Sequence, residues 1–258
     1  MTVGAVADER SVRSAVGEAE WKLRIDLAAL YRLVAFEGWD DLVFTHLSLR
    51  VPGPEHHFLI NPFGMLFEEI TASSLVKIDQ GGEKVLNTPY GINPAGFVIH
   101  SAVHMGREDA HCVMHLHTEA GVGVAAQEQG LLPISQHAMV IGKVAYHDYE
   151  GIAVDMDERV RLVEDLGPVS TVMILRNHGT LAIGRNCAAA WLRMWHLERA
   201  CAMQTRAQAG GAKLSMPNQG VPEKAAGFAR SDFDKRAPEM IWPAMLRKLD
   251  RIDPSYRR

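Results

Sequence analysis

The chain has 258 residues, of which 47% are hydrophobic and 22% charged, with a formal net charge of −4. A composition this ordinary excludes a disordered polyelectrolyte, and its mild acidity argues against a nucleic-acid or membrane partner recognised by bulk charge. Three irregularly spaced cysteines, Cys112, Cys187 and Cys201, make no disulfide framework, so a reducing compartment is expected.

Residues 1–17 read as a mobile polar lead without the apolar segment of a signal peptide. No run approaches the 18 apolar residues of a membrane span, and the expected location is cytoplasmic. Residues 18–38 have helical spacing, with Leu23, Leu27, Leu30 and Val34 near one stripe and Gly38 as the stop. Residues 45–51 alternate polar and apolar as a half-buried strand does. Short strands are expected at 56–60 and 75–79, joined by a loop. A helix over 96–107, a strand over 111–118 and a helix over 119–130 follow. Acids at the start and Gly167 at the end mark a helix over 154–167, and the β-branched run 169–177 reads as a strand. A long helix spans 186–210, a connector 211–228, and a last helix 232–252 is expected to break at Pro243. Strands and helices intermixed with short links predict a sheet covered on both faces.

His115 and His117 lie two apart in a predicted strand, so both side chains share a face. His178 closes the apolar strand before Gly179, a residue that lets the chain turn sharply. Three imidazoles with an open position suit a catalytic divalent metal. The same spacing also suits a pair of satisfied core histidines, and spacing alone leaves both readings open.

The segments HCVMHLHT and ILRNHGTLAIG resemble the two metal-binding segments of class II aldolases. The stretches GWDDLVFTHLSLRV, FLINPFGMLFEEITASSLVKID, INPAGFVIHSAVH, GLLPISQHAMVIGKVAYHDYEGI and LGPVSTVMILRNHG are similar, in order, to the class II aldolase/adducin family, and above all to the adducin head and its bacterial relatives. The likeness runs from about residue 20 to about 210. It implies an α/β three-layer α/β/α sandwich with a central, mainly antiparallel sheet over 18–210, followed by a connector and helical tail over 211–258. It also implies one divalent metal on His115, His117 and His178, with zinc the first choice and manganese or iron as alternatives. A homotetramer is implied, with sites lined by a neighbouring subunit.

The sequence departs from the sugar-phosphate aldolases of that family. Their acid/base glutamate, nineteen residues before the first histidine of HxH, falls at Gly96. Their phosphate cradle falls at Pro94, Ala95, Thr45 and His46, which lack most of its donors. The expected substrate is therefore a small non-phosphorylated organic or aromatic acid, with Ser48 and Arg50 as anion contacts. Glu119 and His137 are the candidate proton carriers. His100 and His104, and the cluster from Tyr146 to Tyr149, read more readily as packing. The expected activity is a metal-dependent carbon–carbon lyase, aldolase or decarboxylase. Alternatives are a non-catalytic adducin-like scaffold or a mononuclear-iron oxygenase on the same fold. A cytoskeletal partner is not expected, because the chain has no long basic tail.

Overall fold

The computed structural model describes residues 9–151, 157–230 and 234–258. Its centre is a sheet of seven strands: β1 (His46–Arg50), β2 (Phe58–Ile60), β3 (Val76–Ile78), β4 (Cys112–Leu116), β5 (Val144–His147), β6 (Val172–Leu175) and β7 (Gly179–Gly184). They are ordered β3-β2-β1-β4-β7-β6-β5. Neighbours pair antiparallel throughout, except β5 and β6, which run parallel. The helices are α1 (Glu9–Ala15), α2 (Glu18–Phe36), α3 (Pro94–Gly106), α4 (Glu119–Ala125), α5 (Gln136–Ile141), α6 (Glu158–Leu166), α7 (Cys187–Gln208), α8 (Val221–Phe228) and α9 (Asp234–Ile252).

Period-two alternation divides the strand side chains between two cores. On one face Leu47, Met114, Leu116 and Ala182 pack against Leu27 and Leu30 of α2 and Trp191 and Met194 of α7. On the other, Val113, Leu181 and Ile183 meet Ile99 and Val103 of α3 and Leu162 and Leu166 of α6. Burying each such leucine or valine contributes about 1.5–3 kcal/mol. The result is the three-layer sandwich with a mainly antiparallel sheet that the family resemblance implies.

Several elements differ from their sequence reading. Within the expected mobile lead, residues 9–15 form α1, because Val12 finds an apolar niche against Trp21 and Ala72; residues 1–8 lie outside the described residues. The strand expected over 169–177 is β6 alone, and a hairpin returns the chain as β7. Neither α5 nor β5 was anticipated, since each is too short to show a period, and the expected connector holds α8. Residues 154–156 of one expected helix and residues 232 and 233 of another lie outside the described residues. The last helix runs on through Pro238 and Pro243 without breaking at Pro243. The carbonyl of Glu239, which a residue-243 N–H would have met, belongs to an exposed turn that water reaches. Burial of Leu249 and the Trp242 indole's hydrogen bond to Asp26 (2.9 Å) hold the helix in place. Among the described residues no helix is long and apolar enough to cross a membrane, and all three cysteines are free.

Candidate metal centre

His115 stands on β4 with its side chain on the α3/α6 side of the sheet, paired across the ladder with Leu181 on β7 and His46 on β1. His117 follows just beyond the strand end. His178 closes the three-residue hairpin between β6 and β7, where Asn177 takes a left-handed φ of 55° and the His178 N–H donates to the Leu175 carbonyl (3.1 Å). Because β7 is the neighbour of β4, this hairpin tip lands beside the two strand-borne imidazoles. The three ring centroids lie 4.7–4.8 Å apart, and one nitrogen from each ring falls within 4.8 Å of the others.

Gly179 serves this convergence by its size. A Cβ there would lie 2.3 Å from the Leu116 carbonyl oxygen and 3.1 and 3.3 Å from the His117 and His115 rings. The sharp turn expected at this glycine is made two residues earlier, where Asn177 takes the positive φ. Glycine is required so that the hairpin can press against the β4 backbone.

The outer nitrogens of two rings are already engaged. His115 Nδ1 donates to the Thr180 carbonyl (3.1 Å), and His117 Nδ1 lies 3.0 Å from Asp41 Oδ2. This pattern assigns the protons to Nδ1 and leaves both Nε2 lone pairs pointing at one another across 2.9 Å. Two facing lone pairs repel, and a shared cation relieves that repulsion, so the donor set fits a divalent metal. Burial, then the neighbouring His178 and His117, lowers the His115 pKa. Burial, then His117, brings His178 down to about 4. Both rings are therefore neutral near pH 7, the state a metal ligand needs.

A deeper group supports the ligands. Glu198 on α7 is buried and accepts hydrogen bonds from the hydroxyls of Thr118 and Thr180 (2.6 Å from Thr180). Thr118 also caps α4 by accepting the Gly121 N–H (2.9 Å). One carboxylate thus ties the residue after His117 to the residue whose carbonyl holds His115. Burial raises the Glu198 pKa.

The triad opens into a cavity of about 430 Å³, walled also by His46, Phe44, Phe63, Asn93, Ile99 and Tyr149. Tyr149 departs from the packing role expected of its cluster: its ring centroid lies 5.7 Å from that of His178. Among the described residues no lysine or arginine lines this cavity. Ser48 and Arg50, expected to meet substrate, lie elsewhere. Ser48 is buried, and its hydroxyl lies 2.6 Å from His100 Nδ1 and 2.7 Å from His104 Nε2. Arg50 turns to the end of α3, donating to the carbonyls of His104, Arg107 and Glu108. The reason lies in the pleat and the register: β1 carries Ser48 beneath α3 and Arg50 past it, leaving His46 at the cavity. Glu119 is exposed in the first turn of α4 and faces a second cavity of about 580 Å³, which it shares with Asp41, His117 and Glu198. His137 lies off both cavities, with its Nδ1 2.9 Å from His196 Nδ1; burial, then His137, lowers His196 to about 4. Asp41 and Glu198 were missed, while His46 was read only as a position lacking a phosphate-cradle donor and Tyr149 only as part of a packing cluster. Of the two missed, Asp41, in the acidic pair Asp40-Asp41 of a turn-like segment, carried a local signal.

A family model described as the class II aldolase and adducin N-terminal domain matches residues 25–205. A protein of Caulobacter vibrioides assigned to aldolase class 2 is 55% identical over 253 residues, covering 95% of this chain and 96% of its own. Alpha-adducin of Rattus norvegicus is 45% identical over 219 residues, 82% of this chain but 30% of adducin. Among solved structures, an aldolase II superfamily protein from Pseudomonas syringae superposes with a TM-score of 0.92 at 49% identity, covering 96% of this chain and all of that one. L-fuculose 1-phosphate aldolase from Glaciozyma antarctica superposes with a TM-score of 0.80 at 25% identity, covering 93% of each chain.

Proposed function

The chain belongs to the class II aldolase and adducin family, and from that premise we propose that it is a metal-dependent carbon–carbon lyase, of aldolase or decarboxylase type, acting on a small non-phosphorylated organic or aromatic acid. The observation that carries the reading is the convergence of His115, His117 and His178 at the floor of an open cavity. These three side chains would hold one divalent ion, zinc in the first instance, with manganese or iron as alternatives. When bound, that ion supplies a Lewis acid that polarises a substrate oxygen.

The chain's own residues do the rest. Thr180 and Asp41 fix the ring orientations of His115 and His117. Phe44, Phe63 and Ile99 give the cavity apolar walls. The lack of a cationic side chain in the wall, among the described residues, speaks against a sugar phosphate, whose dianion wants arginine or lysine. It also removes Ser48 and Arg50 from the proposed anion contact. Glu119 stays a candidate proton carrier only through the second cavity it shares with His117. His137 is a candidate only where another subunit completes the site, and a homotetramer belongs to the same proposal.

Likeness to alpha-adducin favours a second reading, a binding scaffold that needs no exchangeable metal. Metal analysis of protein purified without chelators separates the two. About one equivalent per chain, falling below about a tenth in His115→Ala, is the expected result. No metal in either protein after addition of zinc would favour the scaffold. Iron together with dioxygen consumption would move the reading to an oxygenase.

A further inference from the structure

His46 is 3% exposed, stands opposite His115 in the β1–β4 ladder and forms part of the cavity wall. Its Nε2 has no hydrogen-bond partner. An imidazole nitrogen buried without a partner costs about 1–3 kcal/mol, a cost that a bound ligand can offset. The ring lies where a side chain at residue 96 would otherwise be. A Cβ on Gly96, in the first turn of α3, would fall 2.5 Å from His46 Cγ and 2.6 Å from Nδ1 and Cδ2. Glycine at 96 and histidine at 46 are therefore a matched pair, in which the helix leaves room and the strand fills it. A neutral imidazole offers one N–H donor, which suits an uncharged oxygen.

The rest of the wall narrows the ligand. Three imidazole ligands carry no negative charge, and the one carboxylate behind them, Asp41 on His117, balances a divalent ion only in part, which favours an anionic chelate. Phe44, Phe63 and Tyr149 are exposed aromatic rings at the same cavity and offer apolar surface to a side chain. We propose that His46 is a substrate-contact residue that hydrogen-bonds the oxo oxygen of a 2-oxo acid whose apolar side chain lies against Phe44, Phe63 and Tyr149. This rests on the metal-centre reading above and names the substrate class for that same site.

The test uses the full-length protein loaded with cobalt(II), with phenylpyruvate as the probe and the cobalt visible bands as the readout. Parent, His46→Ala and Gly96→Ala are compared at matched cobalt content. The second variant moves the ring without removing it. Phenylpyruvate is expected to perturb the bands of the parent, and its Kd is expected to rise about five- to tenfold in each variant, the loss of one hydrogen bond to a neutral group. Unchanged Kd in both variants with cobalt retained would overturn the contact and leave the lyase reading standing. A cobalt-loaded parent that ignores phenylpyruvate would overturn it too. Loss of cobalt from both variants would make His46 a support of the triad and overturn the substrate role. Failure of the parent itself to take up cobalt would overturn the lyase reading, and the contact with it.

Discussion

At the residue scale the centre depends on small margins. Asp41 contributes one hydrogen bond, but that bond fixes which nitrogen of His117 is free. Asp41→Asn keeps the shape, gives up the charge and weakens the preference for an Nδ1 proton. Metal affinity is expected to fall about ten- to hundredfold with little change in folding, measured by competition against a chromophoric chelator. Gly179 has no such tolerance. In Gly179→Ala the new methyl would meet the Leu116 carbonyl at 2.3 Å, so the hairpin must move back from β4. A destabilisation of about 1–3 kcal/mol in urea is expected, together with loss of metal, because His178 travels with the hairpin. Retained metal at parental affinity would show that the hairpin relaxes elsewhere.

Among the elements, α4 and α7 act on the centre without touching it. Thr118 caps α4 and shares the buried carboxylate of Glu198 with Thr180. Thr118→Ala removes a cap and leaves Glu198 with one hydroxyl partner, an expected loss of about 1–2 kcal/mol by denaturant unfolding. A smaller loss would mean that water replaces the hydroxyl. Helix α3 shows the opposite dependence: its first turn has no side chain at Gly96 because β1 supplies a ring there, and its later histidines are taken up by Ser48. His104 also stacks on Phe58 (4.6 Å between centroids) and bonds the Ala110 carbonyl (2.7 Å). Both histidines are buried and meet the Ser48 hydroxyl, in keeping with the packing expected of them.

For the whole molecule, the three ligands come from the end of one strand and a hairpin, so a bound ion joins β4 to the β6–β7 unit. An ion that binds only the folded chain adds about 2.7 kcal/mol at a hundred times its Kd. Chelator treatment is expected to lower the urea midpoint of the parent and to leave His115→Ala unmoved. Equal response of the two proteins would place the stabilising metal elsewhere.

The longer helices, most strands, the covered sheet and the shared face of His115 and His117 follow from local periodicity, which depends only on residues a few positions apart. The family likeness brought His178 to the same centre, because its motif residues stand in fixed order along the chain. Short elements such as α5, β5 and β7 escaped because a few residues carry no period that separates them from loop. The tertiary structure alone decided the rest: that Gly179 is small to let two backbones meet, that Ser48 and Arg50 turn away from the cavity, and that His46 occupies the room beside Gly96. Each of these depends on which strand lies next to which and in what register, and pairing between residues fifty or more positions apart is set by packing of the whole sheet.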